Sequence, residues 1–300
     1  MWQANWTKSF LEKKFASIPI ELTIIKTQGD KILDVPLAKV GGKGLFVKEI
    51  EDALLTGRID IAVHSMKDMP ADIPEGLCIG AIPERANPVG VFISRTGAGF
   101  KKMPAGSVIG TSSLRRGAQL RHARSDIVIQ PIRGNLDTRL KKLESENFDA
   151  LVLAAAGVKR LNLEHKITEY LDATVMLPAI GQGALCVEIR TDDPTVGPMV
   201  AAMNHASTHA VVSGERAFLK RLEGGCQVPI AGHGTISNNT FTLTGLVADL
   251  DGSQVIKGQK SGPIASSETI GMDLAEELLA RGADIILEQL KTITNEGYES

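Results

Sequence analysis

The chain has little of what a polymer-binding or exported protein relies on. Aromatic residues make up 4% of its 300 residues, too few for the stacking surfaces of a single-stranded nucleic-acid groove. A formal net charge of −2 supplies no overall pull toward nucleic acid or an anionic membrane. No apolar run is long enough to cross a bilayer, and the N-terminus lacks the basic-then-apolar layout of a signal peptide. The 3 cysteines, Cys78, Cys186 and Cys226, are odd in number, far apart and without a C-x-x-C pair. That argues against a disulfide framework and a zinc knuckle, and fits a reducing cytosol. Internal repeats, low-complexity tracts, nucleotide fingerprints and metal-ligand clusters are absent from the sequence as well.

What is present reads as two or three α/β domains. Residues 2–16 predict a helix carrying Trp6, Phe10, Leu11 and Phe15, followed by an alternating strand, Ile20 to Thr27. The helix opens at Met1-Trp2 with no capping residue and no strand before it, so a first strand is expected to be missing here. A glycine-rich, lysine-bearing segment, 38–44, precedes a helix from Leu45 to Leu55 and reads equally as an anion site or a solvated loop. Ile59 to Val63 predicts a short strand of a parallel sheet, with His64-Ser65-Met66-Lys67-Asp68-Met69-Pro70 at its carboxyl end, where ligands of open α/β sheets collect. Strands follow at Leu77 to Ile82 and Val91 to Arg95 around Pro83 and Pro88, a hinge candidate.

Three compact βα units come next, in strands Val108–Gly110, Ile127–Ile132 and Ala150–Ala154 with a helix after each. They hold a bank of basic residues, Arg115, Arg116, Arg121, Arg124, Arg133, Arg139, Lys141 and Lys142, against Asp126 and Asp137. Arginine on strand-to-helix turns suits bidentate binding of carboxylate or phosphate. A solvated helix face accounts for Arg121, Arg124, Lys141 and Lys142, but poorly for Arg115, Arg116 and Arg133. Residues 177–183 read as a second crossover, and the apolar strand Ala184 to Ile189 would return to the first sheet, leaving two lobes and a cleft. The last hundred residues predict a small α+β unit: a helix with Val211, Gly214, Phe218 and Leu222 on one face, strands at Phe241–Val247 and Val255–Lys257 across an Asp251-Gly252 turn, and two helices. Between that helix and Pro229, Gly224 and Gly225 place Cys226 on a loop, either as an attachment thiol or as a small buried hydrophobe.

Six stretches, 40–49 (VGGKGLFVKE), 62–70 (AVHSMKDMP), 110–116 (GTSSLRR), 133–140 (RGNLDTRL), 177–184 (LPAIGQGA) and 222–230 (LEGGCQVPI), resemble porphobilinogen deaminase, or hydroxymethylbilane synthase, nearly end to end. The resemblance implies an α/β transferase of three domains, the first two similar to type II periplasmic-binding-protein lobes joined by two hinge strands. On this chain they fall at 1–83 plus 184–203, 84–183 and 204–300, the last a small α+β domain. It implies a dipyrromethane cofactor on Cys226, Asp68 as the catalytic carboxylate, and cofactor carboxylates held by Lys67, Ser113, Arg115, Arg116 and Arg139. Substrate would meet Arg133, Arg160, Ser65 and Gln182, under a loop bearing Lys39, Lys43 and Phe46. Porphobilinogen would lose ammonia to give a cationic electrophile, and four additions followed by hydrolysis would release hydroxymethylbilane. A cytoplasmic monomer acting on a small molecule, with neither nucleic acid nor membrane as partner, is the matching expectation. A two-lobed anion receptor without chemistry is the rival reading.

Two departures from the family pattern stand out. The family's opening strand and turn carry an active-site arginine and serine that precede Trp2-Gln3-Ala4, and segment 84–90 does not show the acidic and arginine residues expected near the first hinge.

Overall fold

The computed structural model describes residues 1–28, 47–224 and 228–296, with side chains to residue 292. Lys39, Lys43, Phe46 and Cys226 lie outside the described residues. In chain order the elements are α1 (Trp2–Lys14), α2 (Lys48–Leu55), β1 (Ala62–Ser65), β2 (Leu77–Ala81), β3 (Gly90–Ser94), β4 (Val108–Gly110), α3 (Leu114–Ala123), β5 (Val128–Gln130), α4 (Leu136–Ser145), β6 (Ala150–Ala154), α5 (Ala155–Arg160), β7 (Glu169–Tyr170), β8 (Leu185–Arg190), α6 (Val196–Ala201), α7 (Ala206–Arg221), β9 (Ile230–Ser237), β10 (Thr240–Ala248), β11 (Val255–Pro263), α8 (Ser267–Leu278) and α9 (Asp284–Glu296).

Three sheets organise them. The first has the order β1-β8-β2, with β8 antiparallel to both neighbours. A parallel sheet is what the sequence predicts here, and the structure corrects that. Strand β8 arrives from the second sheet, not by a βαβ crossover from β1, so it runs against β1. The strand expected at Ile20–Thr27 does not form; residues 19–27 carry no ladder and Ile24 is 71% exposed. Alternation selects a face only where a partner strand and a core stand beside it. Helix α1 starts on Met1 without a side-chain cap, as its sequence predicts, and buries Leu11 against Val187, Ile189 and Val200.

The second sheet, β5-β4-β6-β3-β7, is parallel across β5, β4 and β6 and antiparallel at β3. Helices α3 and α4 begin on residues that cap them: the Ser113 side chain accepts from the Arg116 amide, and Asn135 accepts from the Thr138 amide. The third sheet is the meander β11-β10-β9, covered by α7 and α8 over a core of Phe218, Phe241, Leu274 and Leu278. Strand β9 carries no clear sequence signal, because Gly232, His233 and Gly234 break its apolar pattern. Those glycines are needed: a Cβ at Gly234 would stand 2.8 Å from the Phe241 ring. Gly271 lets α8 lie directly on α7, since a Cβ there would come within 2.1 Å of the Gly214 carbonyl.

The hinge segments at Arg85 and Gly181 meet the third unit at Glu215 of α7, which is 0% exposed. Its carboxylate takes two hydrogen bonds from Arg85, at 2.7 and 3.1 Å, one from the Gly181 amide at 2.7 Å and one from the Gly234 amide at 2.8 Å. The Arg85 Nε donates to the Gln182 carbonyl at 2.8 Å. Segment 84–90 therefore does carry the hinge arginine, and its acidic partner comes from the third unit, which corrects the expectation of a deficient hinge. The sequence held a readable sign of this. Glu215 lies four residues after Val211 and three before Phe218, on the apolar stripe of its helix, where a lone carboxylate demands a partner.

Beneath β1, His64 Nε2 lies 2.9 Å from the Glu188 carboxylate, and Glu51 of α2 packs beside the pair. Burial first, then the Glu188 charge, raises the Glu51 carboxyl above its ordinary 4.5. A group raised in this way costs stability wherever it is ionised in the fold, fully above the folded-state value and not at all below the unfolded one. Glu51→Gln is therefore expected to raise the melting temperature near pH 7, with the gain fading on acidification and gone below 4.5. Thermal melts across pH check this, and a gain that persists at low pH contradicts it.

Candidate active site

The carboxyl end of β1 runs into a single 3-10 turn, Met66–Asp68. Met66 and Met69, 2% and 5% exposed, anchor it on both sides, so that Lys67 and Asp68 between them face outward. The Met66 amide donates to the Ala184 carbonyl at 3.1 Å, fastening the turn to the entry of β8. Ser65, just before the turn, accepts a 2.7 Å hydrogen bond from Gln3 of α1.

Opposite stand the arginines of the second sheet. Arg115 and Arg116 open α3 and are buried, at 8% and 6% exposure. Arg115 donates to the Leu177 carbonyl at 2.8 Å. Arg116 donates to the Val152 carbonyl at 3.0 Å and reaches Gln182 Oε1 at 3.4 Å, while its Nε has no partner among the described residues. Gln182 in turn donates to the Pro88 carbonyl, locking the two hinge segments together. Arg139 on α4 donates to the Gly134 carbonyl, at the left-handed turn that leads from Arg133 into the helix. Arg160, at the end of α5, donates to the Gly183 carbonyl at 3.3 Å and lies 5.2 Å over the Trp2 ring, leaving its own Nε without a partner among the described residues.

The charges of the two sides act on one another. Asp68 favours the ammonium form of Lys67, but partial desolvation within the cleft, where the side chain still meets solvent, and the Arg116, Arg115 and Arg139 guanidinium groups outweigh it and pull Lys67 below its ordinary value. Burial and then Arg139 bring Arg116 down to about 10, and burial with Arg133 lowers Arg139. Burial lowers Arg160 too. A lysine held down by three arginines across a cleft marks a site that is short of negative charge.

The fold thus brings Lys67, Asp68, Arg115, Arg116 and Arg139 within electrostatic reach of one another, with Arg133 beside Arg139, Gln182 on Arg116, Ser65 just before the turn, Ser113 capping α3 and Arg160 on the Gly183 carbonyl; Lys39, Lys43, Phe46 and Cys226 lie outside the described residues. Arg121 and Arg124 prove to be more than a solvated face. Arg121 donates to the Leu250 carbonyl at 2.9 Å, docking the β10–β11 turn on α3, and Arg124 pairs with Asp126 and the Met103 carbonyl. Sequence reasoning missed Gln3 and Trp2, whose only sign was polarity and bulk on one helix, and it missed the roles of Arg85, Glu215 and Arg216. Among the described residues no group of three His, Cys, Asp or Glu is placed to hold a metal ion, and no helix is long and apolar enough to cross a membrane.

The family model described as "Porphobilinogen deaminase, dipyromethane cofactor binding domain" matches residues 1–197, and the model of the porphobilinogen deaminase C-terminal domain matches 210–280. The porphobilinogen deaminase of Pelobacter propionicus is 54% identical over 290 residues, covering 97% of this chain and 93% of that protein. That of Carboxydothermus hydrogenoformans is 52% identical over 296 residues, covering 99% and 95%. Among solved structures, the methionine-binding protein MetQ superposes with a TM-score of 0.42 at 12% identity, over 67% of this chain and 83% of that one. With the family model spanning both arginine-bearing and carboxylate-bearing sides of the cleft, the chain belongs to the porphobilinogen deaminase family, dipyrromethane-dependent transferases that make hydroxymethylbilane in tetrapyrrole biosynthesis.

Proposed function

We propose that Asp68 is the catalytic carboxylate of this enzyme, that Lys67, Ser113, Arg115, Arg116 and Arg139 hold the carboxylates of the dipyrromethane, and that Cys226 carries it through a thioether. Arg133, Arg160, Ser65 and Gln182, with Lys39, Lys43 and Phe46, receive porphobilinogen and the growing chain. The observation that supports this assignment best is the pair of buried guanidinium groups, Arg115 and Arg116, at the start of α3, within electrostatic reach of the turn that bears Lys67 and Asp68. The two buried guanidinium nitrogens without partners, on Arg116 and Arg160, fit a cofactor and substrate rich in carboxylates, because an unmet buried donor costs about 1–3 kcal/mol until an acceptor arrives. Each arginine–carboxylate bond then contributes roughly 1.5–3 kcal/mol, enough together to hold an oligopyrrole in register.

The dipyrromethane supplies a pyrrole carbon that accepts the activated substrate. Asp68, the exposed carboxylate of the turn, stabilises positive charge on pyrrole nitrogens and holds or returns a proton there. Lys67 and the arginines orient the acid side chains and keep them away from Asp68. The domain division proposed with this reading is 1–83 plus 184–203, 84–183 and 204–300, with the protein acting as a cytoplasmic monomer that needs neither nucleic acid nor membrane. The intact mass of the purified protein tests the tether. Cys226→Ser is expected to lack the dipyrromethane increment, while Cys78→Ala and Cys186→Ala, at positions on β2 and β8, keep it. An increment that survives in Cys226→Ser overturns the assignment.

A further inference from the structure

The turn that bears Asp68 is gripped from behind by a residue of the third unit. Arg216, on α7 next to Glu215, donates from Nη2 to the Pro70 carbonyl at 2.8 Å and the Ala71 carbonyl at 3.0 Å, and its Nη1 touches Met66 Sδ at 3.8 Å. These contacts bracket the 3-10 turn. Met66 lies at its start, and Pro70 and Ala71 lie just past its end. No other side chain among the described residues donates to those two carbonyls.

We propose that Arg216 is a positioning residue for the reaction: it fixes the Asp68 carboxylate against the cleft by holding the two carbonyls that follow the turn. The inference rests on the reading of Asp68 as catalytic. Lys67 and Asp68 are both exposed, so their aim is set by the backbone beneath them. On the N-terminal side that backbone is fixed by the ladder of β1 and the bond to Ala184. On the C-terminal side, Arg216 does the equivalent work from a different unit. Its planar fork sets Nη1 against Met66 Sδ at the start of the turn and Nη2 on both carbonyls past its end, a span that a single ammonium cannot cover.

A competing role must be separated from this one. Burial lowers Arg216, while the Asp72 and Glu188 carboxylates favour its cationic form, so it also serves as a counterion to a buried carboxylate. Arg216→Lys keeps the charge and removes the fork; Arg216→Gln removes both. Lys220, one turn further along α7, pairs with Asp72 at 2.8 Å and links the same two segments without touching the carbonyls, so Lys220→Ala serves as the control.

The experiment measures kcat and KM for each purified variant, with intact mass for cofactor loading and a thermal melt for stability, beside Asp68→Asn. Arg216→Lys is expected to load cofactor and melt like the parent, with kcat lower by on the order of 10–100-fold and KM within about threefold, the size of loss that a misplacement near 1 Å produces. Arg216→Gln is expected to lose as much kcat and to melt lower as well, and Lys220→Ala to match the parent in kcat. Parent-like kcat in Arg216→Lys leaves only the counterion role and overturns the inference, as does an equal loss in Lys220→Ala. Parent-like turnover in Asp68→Asn instead removes the reading on which it rests.

Discussion

Asp68→Asn is expected to lose several orders of magnitude in kcat while retaining its cofactor mass. The amide preserves the size of the side chain and the buried anchors Met66 and Met69, so the turn itself should persist. What disappears is the negative charge beside Lys67, which Arg115, Arg116 and Arg139 also approach. Removing a single preorganised stabilising group costs on the order of 10²–10³-fold, and losing the proton-transfer group costs a further 10²–10⁴-fold. Both losses fall on kcat, because neither acts on ground-state binding by the arginines. Single-turnover kinetics with porphobilinogen, alongside intact mass, make the measurement. Turnover within a factor of ten of the parent would remove Asp68 from the chemistry.

The largest effect on stability is expected where the hinge segments meet the third unit. Arg85→Leu leaves the fully buried Glu215 with two backbone amides and no counterion. Removing one partner of a buried ion pair typically costs about 3–5 kcal/mol. Glu215→Gln should cost less, since the amide oxygen still accepts from one of Gly181 and Gly234. The double variant should cost less than the sum of the two, because once the pair is gone no charge is left to strand. Denaturant titration of the four proteins checks this, and additive losses would show that the pair is not coupled. Catalysis in the surviving folded fraction should change little, which separates this pair from Arg216.

The second sheet was readable because each βα unit announces itself locally: an apolar strand, a capping Ser113 or Asn135, then an amphipathic helix. The proposed site stood out in the sequence for a related reason. Asp68 follows β1, Arg115 and Arg116 open α3, and Arg133 precedes α4, positions where the chain has no packing need for charge. The first sheet was misjudged because its central strand, β8, joins β1 from more than a hundred residues away, and neither strand's pattern tells which way the other runs. Strand β9 was hidden by glycines whose purpose becomes visible only against the Phe241 ring. Arg216 illustrates a third limit. Unlike Glu215, which interrupts an apolar stripe, it gives no hint in sequence of whether it meets water or the backbone of another unit.

The place of β8 at the centre of the first sheet has a consequence for synthesis. His64 and Glu188 are 124 positions apart, so at roughly 5–20 residues per second a ribosome needs on the order of 6–25 s to make the second partner after the first. The three βα units of the second sheet are complete before β8 emerges and can fold while the N-terminal segment waits, with the apolar faces of β1, β2 and α1 uncovered. The lobe that begins the chain is therefore among the last to close, and the turn bearing Asp68 takes shape late on the nascent polypeptide.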